Sequence, residues 1–180
     1  MIDSPDQILF KRNMHWGGTV GGAFQRSGLY EPGASDKRKK EFRDELRRQL
    51  ESMENTYNQS SLSSVEHVVQ IKLLQDWSTK YSDTLKGGKL NFGVSQKLLN
   101  LHLKGLWCFN LLKYAPPHFP VDRIIQQRLR LEKIIPWTKN MNENNYLKVI
   151  EAAEFIASKN QISLAELELR VYNNTLKISK

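Results

Sequence analysis

The residue best placed to do chemistry is a carboxylate, Asp122, which follows a proline-rich loop. Pro116, Pro117 and Pro120 fix their own φ angles and restrain the residues before them, so the loop is predicted to be stiff and extended. Pro120 also suits the first turn of a new helix, where the amide dipoles favour an ionised carboxylate. Such a carboxylate, held beside apolar residues, can stabilise a developing positive charge such as an oxocarbenium ion. The alternative is that Asp122 only caps this helix.

A glycine-rich turn ahead of the preceding apolar helix is the second candidate site. Its glycines and the lysines around it are Gly87, Gly88, Gly93, Lys86, Lys89 and Lys97. The first turn of a helix presents unpaired N–H groups and the positive end of the helix dipole. Together with the lysines, these groups could hold a phosphate. The same glycines could instead form only a tight turn.

Two short segments that contain these residues resemble the helix-hairpin-helix DNA glycosylases. Residues 93–99, GVSQKLL, are similar to the hairpin of that superfamily, which runs Gly-Val-Gly-x-Lys-Thr-Ala into a buried helix. Residues 119–125, FPVDRII, are similar to the later apolar-Val-Asp segment that opens the next helix. The proline before Val-Asp is most like the archaeal 8-oxoguanine glycosylases. Ser95 stands where the hairpin has its second glycine.

The resemblance implies a DNA glycosylase in which Asp122 is catalytic and Lys97 is the Schiff-base nucleophile if the enzyme also has lyase activity. The expected partner is double-stranded DNA with a modified base, and no cofactor is expected. The residues expected to contact DNA are Gly88, Lys89, Gly93, Ser95, Gln96, Arg123 and Arg12. The residues expected to line the pocket for the flipped base are Trp16, Phe24, His118 and Trp137. The base could be an oxidised purine in repair or a modified base of invading phage DNA.

The elements that must position these residues are predicted to be helices. From about residue 94 to residue 112 the apolar residues cover nearly the whole helix circumference, which is typical of a buried central helix. Lys97, His102 and Lys104 make this segment too polar to span a bilayer. A capping box at Ser63 and Glu66 opens the helix before it, which we expect to end at Gly87 and complete a helix-hairpin-helix element.

The whole chain is predicted to be one all-α domain over residues 1–180. Glycines among residues 17–22 favour a loop-rich N-terminal arm over residues 1–34, ahead of a helical body over residues 35–180. In the body we expect helices over about 35–53, 120–136, 143–159 and 163–172, and a polar linker over 55–61. No segment shows the alternating pattern of a strand.

Composition favours an anionic partner, because the 180 residues carry a formal net charge of +8. Nucleic acid is therefore expected before a membrane surface. The single cysteine, Cys108, cannot form an internal disulfide, and the chain shows no secretory segment, so we expect a cytoplasmic protein. No histidine has partners at metal-ligand spacing, so no metal is expected. The alternative function is a non-catalytic basic helical module that binds nucleic acid or protein.

Overall fold

The structure is a computed structural model that describes residues 3–178. Its helices are α1 (Pro5–Phe24), α2 (Asp36–Gln59), α3 (Ser64–Trp77), α4 (Phe92–Cys108), α5 (Arg123–Arg128), α6 (Glu143–Lys159) and α7 (Leu164–Tyr172). A 3-10 turn, Ser78–Tyr81, follows α3. Within these residues the only β-type pairing is an isolated bridge between Tyr30 and Leu85. The predicted all-α fold is therefore confirmed, and the helices form one compact body.

Helix α4 is the centre of the molecule, as the sequence predicted. Every residue from Phe92 to Asn100 is buried. Asn91 caps the helix, because its side chain accepts a hydrogen bond from the backbone N–H of Val94 at 2.9 Å. One side of α4 packs against α1 and another against α3. The helix-hairpin-helix element stays a prediction: residues 78–91 join α3 to α4, and the segment that resembled the hairpin lies inside the first turns of α4.

The prediction of a loop-rich N-terminal arm was wrong, because most of the segment is helix α1. Ser4 and Gln7 form a capping box, and Pro5 occupies the first turn. The glycines that suggested a loop are accommodated because α1 is stabilised by packing along α4 rather than by its own propensity. A Cβ at Gly22 would lie 3.0 Å from Leu101, and a Cβ at Gly105 of α4 would lie 2.0 Å from the His15 ring. These two glycines let the helices approach closely.

Three other boundaries differ from the sequence prediction. Helix α2 continues through the expected polar linker because Tyr57 turns into the core. Helix α3 ends at Trp77, ten residues before Gly87. Gly87 and Gly88, with φ of +77° and +79°, form a turn in the connection to α4. Helix α5 ends at Arg128 instead of continuing to residue 136. None of the helices described in residues 3–178 combines the length and hydropathy needed to cross a bilayer.

A buried hydrogen-bond network holds α4 to four other segments. Asn100 Oδ1 of α4 accepts a hydrogen bond from His67 Nε2 of α3 at 2.9 Å, and Asn100 Nδ2 donates to the Tyr146 hydroxyl of α6 at 3.0 Å. Tyr57 of α2 contacts the other ring nitrogen of His67 at 2.7 Å. His118, in the proline loop, lies 2.9 Å from the Tyr146 hydroxyl. Because all five side chains are buried, each needs these partners to offset the loss of water.

The first turn of α4 also fits tightly against the segment that carries Trp137. A Cβ at Gly93 would lie 1.7 Å from the Trp137 carbonyl oxygen, a backbone atom that cannot rotate away. Only glycine fits here without moving one of the two segments.

We therefore expect Gly93→Ala to lower the free energy of unfolding by about 3 kcal/mol, through overpacking against backbone. The matched control is Gly17→Ala on α1, where an added Cβ meets nothing within 4 Å. That change should raise stability by up to about 1 kcal/mol through helix propensity. Urea denaturation of both variants checks the prediction, and equal stabilities for Gly93→Ala and the parent protein would contradict it.

The buried histidines should make stability depend on pH. Burial lowers the pKa of His118 from 6.5 to about 4, because the apolar surroundings disfavour the charged ring. The unfolded chain binds this proton near pH 6.5 and the folded chain does not, so the stabilisation is complete above 6.5 and is lost as the pH falls towards 4. Between about pH 7.5 and pH 5, His118 should contribute a loss of about 2 kcal/mol. Burial lowers the pKa of His67 as well, with the same sign.

The control for this prediction is His118→Gln, which keeps a hydrogen-bonding side chain but cannot titrate in this range. Urea denaturation at the two pH values should show a smaller loss for the variant, by about 2 kcal/mol. An identical loss in both proteins would show that His118 does not control the pH dependence.

Candidate active site

A surface cleft of about 820 Å³ runs between four segments of the fold. Its walls come from the second half of α1, the face of α4 that carries Lys97 and Lys104, the start of α5, and α7. Trp137, from the connection between α5 and α6, closes one side. The volume lies within the range of ordinary ligand pockets.

The two residues expected to be catalytic meet in this cleft. Lys97 Nζ donates a hydrogen bond to Asp122 Oδ2 at 2.8 Å, although the residues lie on different helical segments. The Lys97 side chain is 9% exposed and that of Asp122 is 23% exposed. An ion pair that is mostly removed from water must have its remaining hydrogen-bonding capacity satisfied to be tolerated.

Asp122 also caps α5, which is the alternative role that was predicted for it from the sequence. It occupies the N-cap position, one residue before the helix, where Oδ1 accepts the backbone N–H of Ile125 at 3.0 Å. One carboxylate oxygen therefore accepts a hydrogen bond from the helix backbone, and the other accepts one from Lys97. This division fixes the plane of the carboxylate relative to the cleft.

The position of Asp122 is set from α4 by Gln96. The Gln96 amide donates to the Val121 carbonyl at 2.8 Å and accepts the Val121 N–H at 3.1 Å. Gln96 is fully buried, so these bonds are shielded from water. The residue next to Asp122 is thereby clamped on both of its backbone polar groups.

Of the four residues expected to line a base pocket, Trp137 alone lies in the cleft. Lys97 Nζ lies 4.4 Å from the centre of its ring, a cation–π contact. The expectation for His118 and Phe24 was wrong: His118 is 1% exposed in the buried network, and Phe24 stacks on Phe42 in the core. Trp16 lines a separate small recess beside Arg12 and is not part of the cleft.

Three residues expected to contact DNA are buried, which corrects that part of the prediction. Gly93 packs against Trp137, and the Ser95 hydroxyl donates to the Asn91 carbonyl at 3.0 Å. Gln96 is occupied by Val121. Since these groups are inside α4, a phosphate backbone cannot reach them.

The other four expected DNA contacts lie at the surface or near it. Arg123 is exposed at the mouth of the cleft. Lys89 is exposed and lies 3.5 Å from Asp76, and Gly88 forms the turn beside it. Arg12 makes two hydrogen bonds to Glu54, at 2.8 and 2.9 Å, so its charge is largely neutralised within the chain.

The sequence interpretation missed a second ion pair in the cleft, formed by Lys104 and Glu168. Lys104 Nζ lies 2.8 Å from Oε1 and 2.7 Å from Oε2 of Glu168, and 4.3 Å from the centre of the Tyr172 ring. Burial raises the pKa of Glu168, and Lys104 only partly offsets this effect. The sequence held one signal: Glu168 falls four residues after Leu164, on the side of α7 that should be apolar.

The rim of the cleft carries positive charge that the chain does not neutralise. Arg26 and Arg123 line the cleft, and neither forms an ion pair within residues 3–178. The backbone of Arg26 adopts φ of +71°, a left-handed conformation that residues other than glycine and asparagine rarely take. This conformation ends α1 and places Arg26 at the rim.

A cluster next to the cleft joins α1, α2 and α4. His15, which lines the cleft, contacts the His102 carbonyl at 2.8 Å, and burial lowers its pKa. Burial alone would raise the pKa of Glu54, but hydrogen bonds from His102 and Arg12 outweigh it and hold that pKa below its usual 4.5. The cluster therefore keeps a charged carboxylate stable between His102 and Arg12.

The chemistry open to the cleft follows from the Lys97–Asp122 pair. Its carboxylate can stabilise a cation, and its amine can act as a nucleophile once a proton has left. Within the described part of the chain, no three histidine, cysteine or acidic side chains gather as metal ligands.

No family model matches the chain, and no curated protein or solved structure shows a significant match to it.

Proposed function

We propose that the protein is a DNA glycosylase, whose cleft receives a modified nucleotide flipped out of the duplex and cleaves its N-glycosidic bond. The observation that carries the proposal is the Lys97–Asp122 pair at 2.8 Å on the wall of a nucleotide-sized cleft. The pair lies in the two segments that resemble the helix-hairpin-helix glycosylases. Its members are the residues to which the resemblance assigns the chemistry.

In the first step the bond between C1′ and the base nitrogen breaks, and the electron pair leaves with the base. Positive charge develops on the sugar, where the Asp122 carboxylate stabilises it. The departing base takes up a proton from solvent. Water then attacks C1′ in a monofunctional enzyme and gives up a proton to solvent.

In a bifunctional enzyme Lys97 attacks C1′ instead. Its amine must first lose a proton, and Asp122 Oδ2 at 2.8 Å can accept it. The product is a covalent adduct between Nζ and the sugar, which opens to a Schiff base.

DNA would be held by charge at the rim and by stacking in the cleft. The net charge of +8 attracts the duplex, and Arg26 and Arg123 at the rim are placed to meet phosphates that flank the flipped nucleotide. Trp137 offers an aromatic face for the base. The candidate bases are an oxidised purine in repair and a modified base of phage DNA in defence.

The second candidate is a non-catalytic basic module that binds nucleic acid or protein. The burial of Gly93, Ser95 and Gln96 favours it, because this removes the hairpin contacts that the resemblance implied. In that case the Lys97–Asp122 pair only joins α4 to α5.

Asp122→Asn should strongly reduce base excision while leaving DNA binding within about twofold. Asparagine caps a helix about as well as aspartate but carries no charge for the sugar cation. We expect excision to fall by about a hundredfold or more. The measurement is release of abasic sites from duplexes that carry oxidised purines or phage-type modified bases.

The matched control is Asp76→Asn, an exposed aspartate outside the cleft. It should excise at the rate of the parent protein. Equal excision by Asp122→Asn would remove the catalytic assignment, and absence of excision in every protein on every duplex would favour the binding module.

Borohydride trapping on the active duplex tests the role of Lys97. A covalent protein–DNA adduct that disappears in Lys97→Arg would identify Lys97 as the nucleophile, since the guanidinium stays protonated. Excision by the parent protein without an adduct would establish the water route and assign Lys97 to holding Asp122.

Arg26→Gly should weaken DNA binding without loss of stability. Glycine adopts the left-handed conformation at no steric cost, so stability should stay level or rise by up to about 1 kcal/mol. Loss of one phosphate contact should lower the slope of log affinity against log salt by about 1. The control is Lys37→Gln, at an exposed lysine of α2, and this variant should leave the slope unchanged. An unchanged slope in Arg26→Gly would place the DNA elsewhere.

A further inference from the structure

A second concave surface, here called the α6 groove, lies apart from the cleft. It is formed by the connection between α5 and α6, one face of α6 and residues 177–178, and it encloses about 1080 Å³. No residue lines both surfaces. The groove therefore has no part in the chemistry proposed for the cleft.

The floor of the α6 groove is apolar. Leu129, Ile135 and Val149 are buried beneath it, and Ile156 is half-buried at its side. Phe155 is 61% exposed, so a large aromatic ring faces water at the edge. An exposed apolar surface of this kind, bordered by polar residues, is typical of an interaction site.

The rim of the groove is strongly positive. Five cations line it against one carboxylate, Glu132: Arg130, Lys133, Lys148, Lys159 and Lys177. Within residues 3–178 none of these side chains takes part in a salt bridge, whereas most cations of α2 are paired with acids on the same helix. The rim therefore offers uncompensated charge to a partner.

Helix α6 arranges these features along one stripe. Lys148, Ala152, Phe155 and Lys159 follow the i, i+4, i+7, i+11 spacing that keeps residues on one face of a helix. Apolar side chains thus lie between cations over about three helical turns. A partner that matches this stripe must alternate apolar and anionic groups in the same way.

We propose that the α6 groove docks an acidic peptide segment of another protein, with apolar side chains on the floor and carboxylates at the rim. An amphipathic helix laid along α6 has this chemistry. Nucleic acid fits less well, because the aliphatic floor has no side chains to pair with the polar edges of bases. A second copy of this chain fits less well too, because its own net charge of +8 meets a rim of the same sign.

The probe is a fluorescent peptide of about 18 residues, with leucine and phenylalanine at helical spacing and glutamate at the other positions. Its anisotropy is measured with the full chain. Three controls accompany it: the same peptide with lysine in place of glutamate, the same peptide with serine in place of the apolar residues, and a labelled single-stranded DNA of equal charge. We expect the acidic amphipathic peptide to bind at least about tenfold more tightly than each control peptide.

The protein variants locate the site. Lys148→Glu with Lys159→Glu should weaken peptide binding by about tenfold or more, and Phe155→Ser should weaken it by a similar factor. Lys37→Glu with Lys86→Glu makes the same change in net charge on exposed lysines elsewhere and should alter binding by less than about twofold. All these side chains are exposed, so the variants should keep the fold.

Binding that is equal in the two double variants would overturn the proposal, since attraction would then come from net charge alone. Binding of the DNA probe that is lost in Lys148→Glu with Lys159→Glu but retained in Phe155→Ser would also overturn it, in favour of a phosphate contact. Because the assay needs no excision, its outcome is independent of the function proposed for the cleft.

Discussion

The structure depends on the need to satisfy polar side chains along a helix that is buried on nearly every side. Helix α4 carries Gln96, Lys97, Asn100, His102 and Lys104 within three turns. Leaving a buried polar group unpaired costs about 1–3 kcal/mol, and a buried charge costs more. Each of these residues therefore requires a partner from another element, and the partners come from the proline loop, α5, α3, α6, α2 and α7. The polar residues of α4 thus specify where the other helices lie.

The same requirement couples the candidate site to the core. Gln96 holds Val121, Val121 precedes Asp122, and Asp122 meets Lys97 one residue along α4 from Gln96. The distance between carboxylate and amine is therefore set by a buried amide and not by a surface loop, which is how a site keeps its geometry before a ligand arrives. The cost is that both charges are partly removed from water. Trp137 offsets some of this cost through its ring face over Lys97.

The sequence predicted what local chemistry determines. The capping box at Ser63 and Glu66, the bounds of α6 and the burial of α4 follow from side-chain periodicity and cap residues, and the structure confirms them. Helix α1 was missed because Gly22 and Gly105 act through a contact between helices that lie far apart in sequence, where local propensity predicts a loop. The resemblance singled out Asp122 and Lys97 as candidates, and the structure brings their side chains to 2.8 Å. Glu168 was missed because its partner Lys104 is 64 positions away, and no local pattern reports such a pair.

The distribution of charge separates two surfaces that the net charge alone does not distinguish. The sequence draws attention to α2, where seven cations cluster, yet five of the seven pair with acidic residues of the same helix at i±3 or i±4. These pairs contribute little stability, but they cancel most of the field of α2 beyond a few ångströms. Arg26 and Arg123 beside the cleft and the five cations of the α6 groove, by contrast, form no salt bridge within residues 3–178. The two proposed sites therefore combine positive charge with different linings, Trp137 in the cleft and aliphatic side chains in the groove, so the partners proposed for them differ in kind.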